Sequence, residues 1–355
     1  MKTVLVTGGA GFVGSHLALH LKAAHPSWRL LAMDNLHRRG SELNLARLAA
    51  GGVEFVHGDI RCKEDFPTVR VDALLECSAE PSVLAGTSGD PGYLIQSNLV
   101  GTLHCLELAR RHGSDVVFLS SSRVYPVHHL RSLHLVETAT RMELHDQQEL
   151  AGVSPHGVSE AFPLDGPRTL YGATKLSSEL MVTEYGDVFG LRTVINRCGV
   201  LAGPWQFGKQ DQGFVALWVA RHILGGALAY VGYGGQGKQV RDILHVLDLC
   251  DLVDRQLDRM DDVRGRTLNV GGGRAVSVSL LELTQACARV TGRNLHLERQ
   301  PETRAGDVPL FITDARLVER LLDWKPRRPV ETVVEDIAAW IHNQRDALAP
   351  VLGAP

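Results

Sequence analysis

Across residues 1–197, short runs of consecutive apolar residues alternate with longer stretches of mixed polarity. The runs Thr3–Val6, Leu30–Met33, Val53–Val56, Ala73–Cys77, Val116–Leu119 and Thr193–Ile195 do not alternate apolar with polar positions. Strands buried on both faces read this way, because helices cover a parallel sheet from either side. Between them, His16–Ala23, Tyr93–Arg111 and Ala173–Tyr185 carry helical spacing. The order predicts an α/β fold: a Rossmann-type, doubly wound parallel sheet. Beyond Arg197 the pattern is irregular, with helices near Gly213–Leu224 and Ser279–Thr291, a Gly-rich stretch at 232–237 and short strands. This predicts a dinucleotide-binding domain over 1–197 and a smaller, mostly α/β substrate domain over 198–355, with parts of 240–275 returning to the first. The stretch from Pro126 to Gly157 is polar, His-rich and long for a connection, so it reads as a functional or disordered loop.

Composition narrows the function classes. Of 355 residues, 44% are hydrophobic and 22% charged, as in ordinary globular proteins. The formal charge, 37 − 40 = −3, removes the usual electrostatic case for binding nucleic acid or an anionic membrane. No apolar stretch reaches ~18 residues, so no membrane span is expected, and MKTVLVTGG is a strand and turn rather than a secretory signal. The six cysteines form no C-x-x-C pair and sit mostly in apolar runs, which reads as buried free thiols in a reducing, cytoplasmic setting. His16 and His20 share a helix face but have no third ligand nearby, so no metal site is assigned. Glycine is the one skew: 36 residues against a usual ~7%.

Some of those glycines have a definite address. Thr3–Val6 leads into T-G-G-A-G-F-V-G, with Gly8, Gly11 and Gly14 at three-residue intervals before a helix. The first allows a tight turn, the second lets backbone approach a pyrophosphate, and the third lets helix and strand pack closely. The helix N-terminus, with Phe12 and Val13 in its first turn, supplies free N–H groups for the anion. Asp34 ends the next strand, where a carboxylate accepts both ribose hydroxyls and repels a 2′-phosphate. NAD is therefore favoured over NADP despite Arg38 and Arg39 nearby. Asn35 and Arg38 beside this acid, Asp59 and Ile60 after the third strand, and Ser78 and Ala79 after the fourth complete the nearby cofactor candidates. Gly203, Gly208, Gly213 and the 232–237 cluster are expected to bring backbone close to a sugar nucleotide.

Tyr171 and Lys175, in Y-G-A-T-K, share one face of the helix after the fifth strand. An ammonium ~4 Å from a phenolate contributes about 4 kcal/mol at an effective dielectric of 20. That lowers a tyrosine pKa from ~10 towards neutrality and suits it to take a proton from a sugar hydroxyl. Ser120–Ser122 ends the fifth strand at the ligand-binding edge, where a hydroxyl can relay that proton.

TGGAGFVG, Asp34, Asn98-Leu-Val-Gly-Thr, SSSRVY and YGATK together resemble the extended short-chain dehydrogenase/reductase family of nucleotide-sugar enzymes, nearly end to end. The resemblance implies that Ser121, Tyr171 and Lys175 are catalytic, that Lys175 also holds the nicotinamide ribose, and that Asn98 supports the helix beside NAD. Gly237–Asp242 looks like the segment whose arginine, here Arg241, holds a diphosphate, and Arg304-Ala-Gly-Asp307 looks like a sugar-nucleotide segment. The family's dehydratases place Asp-Glu after the Ser/Thr, where this chain has Ser122 and Arg123. Its UDP-sugar 4-epimerases place an asparagine where this chain has Val200. Gln206-Phe207, Asp211-Gln212-Gly213, GKQVRDILH and DNLHRRGS resemble the CDP-tyvelose (CDP-paratose) 2-epimerases. This implies a CDP-hexose substrate contacted by Ser122, Arg123, Gln206, Gln212, Arg241, Arg304 and Asp307, and a homodimer or homotetramer. A 4-epimerase or keto-sugar reductase on the same site is the alternative, and a non-catalytic NAD sensor is disfavoured because Tyr171 and Lys175 are both present.

Overall fold

The computed structural model describes residues 1–87, 89–208 and 212–353. A seven-stranded, all-parallel sheet forms from β1 (Thr3–Thr7), β2 (Arg29–Asp34), β3 (Glu54–His57), β4 (Ala73–Glu76), β5 (Asp115–Ser121), β6 (Thr193–Cys198) and β7 (Arg266–Val270), in the spatial order β7-β6-β5-β4-β1-β2-β3. Because β1 lies between β2 and β4, the winding reverses there and opens a crevice at the strands' carboxyl ends. The strands are apolar throughout because successive side chains enter different cores. Val4 and Val6 meet Leu17 and Leu21 of α1 (Phe12–Ala24), together with Leu249 and Val253 of a helix over Val246–Asp258. Leu5, Leu74 and Val116 meet Leu106 of α2 (Gly101–His112) and Val182 of α3 (Leu170–Phe189).

A second sheet joins Val200–Ala202, Val240–His245, Ser277–Ser279 and Leu310–Phe311. Helices Phe214–Leu224, Leu280–Thr291 and Val330–Asn343 pack into its separate apolar core. Ser279 starts the second of these helices with a full capping box to Glu282.

The helix expected over Tyr93–Arg111 forms, and it contains a π turn at Gln96–Val100, between helix Gly92–Ile95 and α2. Asn98 sits in that turn with its side chain fully buried among polar partners, which accounts for the local widening. The stretch expected as a long loop after Pro126 contains helix Val127–Arg131 and two hairpins, Leu135–Glu137 with Met142–Leu144 and Val153–Ser154 with Gly157–Val158. Leu130, Leu133 and Leu144 bury beneath it. Its polar residues bond to the second lobe: Arg131 donates to the carbonyls of Arg304, Ala305 and Asp307, Arg141 to Ser277 and Glu282, and Lys238 pairs with Glu137 at 2.7 Å.

Candidate active site

Gly8 follows β1 with φ +62°. A Cβ on Gly14 would lie 2.2 Å from the Gly8 carbonyl oxygen, so helix and turn touch backbone to backbone. Gly11 caps α1 without a side-chain hydrogen bond, and no acid stands in the first turn. The first amides are thus left for an anion, and the dipole favours one. Asp34 accepts from the N–H of Ala10 (3.1 Å) and of Leu36 (2.8 Å), which ties the acid to the glycine turn. Burial raises its pKa above the ordinary carboxylate range. These features fit the adenosine diphosphate half of NAD.

The neighbouring candidates are held by one another. Asn35 donates to Asp59 at 2.8 Å, and Arg61 donates to both of its oxygens. Burial pushes the Asp59 pKa up, but these hydrogen bonds outweigh it and hold the carboxyl at about 2. Ile60 packs over Gly101. Arg38 donates to the Phe207 carbonyl at 2.6 Å, in the other lobe. Asn98 accepts from the Glu80 N–H at 2.8 Å and donates to the Glu80 carbonyl and the Thr174 hydroxyl. It thereby ties the segment after β4, which includes Ser78 and Ala79, to α3.

A cavity of about 460 Å³ opens between the lobes. Phe12, Val13 and Ala79 line one end, and Ser121, Ser122, Arg123, Tyr171 and Lys175 lie beside it. Gln206, Gln212, Arg241, Arg304 and Asp307 line it too, so every substrate and catalytic candidate borders one space. Register puts Ser121 beside Cys198 at the carboxyl ends of β5 and β6. The Ser121 hydroxyl accepts the Arg123 N–H at 3.1 Å. Thr169 caps α3, so Tyr171 lies in the helix's first turn and Lys175 one turn on.

The electrostatics differ from the sequence expectation. Burial raises the Tyr171 pKa to about 12, while a hydrogen bond with Ser121 and the Arg123 charge pull it down. Lys175 faces a second acid. Its ammonium lies 3.8 Å from the carboxylate of Glu76, at the end of β4, and 4.1 Å from the Phe118 ring centre. The burial that makes the site selective works against the phenolate, and a second acid shares the ammonium.

Beneath the site lies a buried polar network that sequence reasoning did not find. Glu179, one turn after Lys175 on α3, accepts from Ser120 at 2.5 Å and from Arg197 through Nε and Nη2. Arg197 also donates to Tyr125, whose hydroxyl donates to Asn269 at 2.7 Å. The network binds β5, β6, β7 and α3 together directly behind Ser121.

Elsewhere along the cavity, Arg241 is ion-paired with Asp307 at 2.6 Å and donates to the Val308 carbonyl. Arg123 donates to the Gly306 carbonyl, and burial lowers its pKa to about 10. Gly213 lines the cavity. A Cβ on Gly203 would strike Val246, on Gly208 the Gly213 carbonyl, and on Gly237 the Tyr230 ring, whereas one on Gly234 would come no nearer than 3.8 Å to any atom.

Comparison with known proteins places this fold. The model of the NAD dependent epimerase/dehydratase family matches residues 4–271, and the chain belongs to that family. It is 32% identical over 348 residues to the CDP-paratose 2-epimerase of Salmonella typhi, covering 95% of this chain and 98% of that one. Among solved structures, a dTDP-glucose 4,6-dehydratase from Streptomyces venezuelae, crystallised with NAD and a ligand, superposes with a TM-score of 0.78 at 28% identity, over 99% of this chain and 100% of that one. The UDP-glucose 4-epimerase of Thermus thermophilus, in complex with NAD, gives 0.75 at 25% identity, over 96% and 99%. This protein is accordingly an NAD-dependent enzyme of the nucleotide-sugar epimerase and dehydratase class. Among the described residues no helix is long and apolar enough to cross a membrane.

Proposed function

We propose that this enzyme is a CDP-hexose 2-epimerase that inverts C2 by transient oxidation and re-reduction. One observation carries the choice of epimerisation over dehydration. Among the described residues lining the cavity, Asp307 is the sole carboxylate, and it is ion-paired with Arg241. Eliminating water needs a carboxylic acid and a base at the sugar, and Ser122 and Arg123 offer neither. The likeness to the Salmonella typhi 2-epimerase supports C2 and the cytidine nucleotide.

The Gly8–Gly14 turn and Asp34 would hold NAD, which when bound would supply the hydride acceptor and donor for C2 and a positive charge that favours a phenolate. Tyr171 takes the proton from the C2 hydroxyl, and Ser121 bridges the two oxygens. Lys175 keeps positive charge close to the phenolate as it forms. Arg123, Arg241 and Arg304 grip the diphosphate by charge-assisted hydrogen bonds while the keto sugar turns over in the cavity. Tyr171 then returns the proton to the C2 oxygen as C2 takes the hydride back on its other face.

A panel of CDP-, UDP- and GDP-sugars followed by NMR tests this. A CDP-hexose is expected to epimerise at C2 without net change in nicotinamide absorbance, and to keep C2 unlabelled in D₂O. Tyr171→Phe should abolish it. Turnover of a UDP-sugar at C4, steady NADH consumption, or deuterium in the ring would each overturn the reading.

A further inference from the structure

Glu76 ends β4 as the one acid in an otherwise apolar strand, and is 1% exposed. Neither of its oxygens has a hydrogen-bond partner of good geometry. A buried acid so poorly satisfied is costly where an apolar residue would serve the sheet. The groups facing it come from every neighbouring element. Lys175 lies 3.8 Å away on α3, the Ser78 N–H follows on its own segment, and Cys77, Cys105 of α2 and Tyr171 complete the set. Burial keeps both thiols neutral by raising their pKa well above the ordinary value. Lys175 is thus the cation of this group, and Tyr171 is the group whose proton moves in the reaction.

We infer that Glu76 is a positioning residue for catalysis: it anchors the Lys175 ammonium at the end of β4 and so sets the pH at which the Tyr171–Lys175 pair gives up its proton. This rests on Tyr171 being the base, as proposed above. The carboxylate and the phenolate compete for a single buried ammonium. A negative charge at Glu76 therefore holds the pair's proton on, and removing that charge lets it leave at lower pH, whichever of the two groups formally loses it. Two further facts agree. Burial raises the Glu76 pKa while the Lys175 charge pulls it down, so the two groups are coupled. The Glu76 charge also pushes the Tyr171 pKa up.

The test is the pH profile of kcat/KM for the NAD-loaded full chain as wild type, Glu76→Gln and Glu76→Asp. Alongside it runs an ultraviolet titration of tyrosinate, with Tyr171→Phe as the blank. Glu76→Gln is expected to move the acid limb down by about one pH unit, roughly tenfold in rate on that limb, the effect of a unit charge about 12 Å away at an effective dielectric of about 20. Glu76→Asp, which keeps the charge, should stay near wild type. An acid limb and a tyrosinate titration both unmoved in Glu76→Gln would overturn the proposal and leave Glu76 a packing residue. The titration needs no turnover, so it decides the matter even in a variant too slow to assay. Turnover by Tyr171→Phe in the wild-type background would instead remove the base assignment itself, and the two failures are read from different proteins.

Discussion

Deleting the carboxylate of Glu179 tests whether the network behind Ser121 holds the site together. Glu179 is 3% exposed and Arg197 6%. Burial alone would lower the Arg197 pKa, but hydrogen bonds and charge from Glu179 raise it above its ordinary value. Glu179→Ala leaves that guanidinium buried and unpaired, and strips the Ser120 hydroxyl of its acceptor. Breaking a buried pair from one side costs about 3–5 kcal/mol. For a chain of 355 residues that is a fall in Tm of about 5 °C. Removing both charges with Glu179→Leu/Arg197→Met should recover most of the loss, because no charge is then stranded. Urea unfolding by fluorescence and circular dichroism gives the free energy where the two probes coincide. Successive side chains leave a strand on opposite faces, so the tie at Ser120 fixes the direction of Ser121, and kcat of the single variant should also drop. A single-variant loss below about 1 kcal/mol, or a double variant no better than the sum of its parts, would refute the reasoning.

Other outcomes follow from the same contacts. His16 is 8% exposed, and burial lowers its pKa from 6.5 to about 4. Its contribution is complete above pH 6.5 and is lost as the pH falls through about 4, because the unfolded chain protonates first. The loss is about 3 kcal/mol at most, and urea midpoints across that window should flatten in His16→Gln. Gly14→Ala forces a Cβ to within 2.2 Å of a backbone oxygen. NAD affinity should fall roughly tenfold or more, about 1.4 kcal/mol, in a titration by fluorescence quenching; unchanged binding would contradict the close-approach argument. Arg131→Ala frees three carbonyls of the 304–307 segment, so KM for the nucleotide sugar should rise roughly tenfold with kcat little changed, whereas an equal fall in kcat would move Arg131 into the chemistry.

The sheet and the glycine turn were readable because their causes are local. Apolar runs mark doubly covered strands, and Gly8, Gly11 and Gly14 stand where one turn needs them. Tyr171 and Lys175 were legible for the same reason, being one helical turn apart. The electrostatics between them were not legible, because the partner that faces the Lys175 ammonium is Glu76, almost a hundred residues upstream on strand β4. A glutamate inside the apolar run Ala73–Cys77 was the available signal, since such a run admits an acid only with a partner. Asn98 widening a helix into a π turn, and Arg131 holding the 304–307 segment, likewise depend on pairs joined only by the fold. The polarity of 126–157, which suggested a loop, belongs to side chains that bond across to the other lobe.

Charge shows the same limit at a larger scale. The chain's net charge is −3, yet among the described residues the cavity is lined by Arg123, Lys175, Arg221, Arg241 and Arg304 against the single carboxylate of Asp307. Inside that wall, low-dielectric surroundings strengthen each interaction with a diphosphate beyond its value in water. The ion pair between Arg241 and Asp307 prevents the cations from repelling one another apart before a ligand arrives. Arg123 adds the link between the two ends of the cavity, since its guanidinium bonds to the Gly306 carbonyl while its charge reaches Tyr171. A diphosphate drawing that guanidinium towards itself would weaken its pull on the phenol. On the proposed reading, in which Arg123 grips the diphosphate and Tyr171 is the base, nucleotide binding and the acidity of the base would be coupled through one side chain.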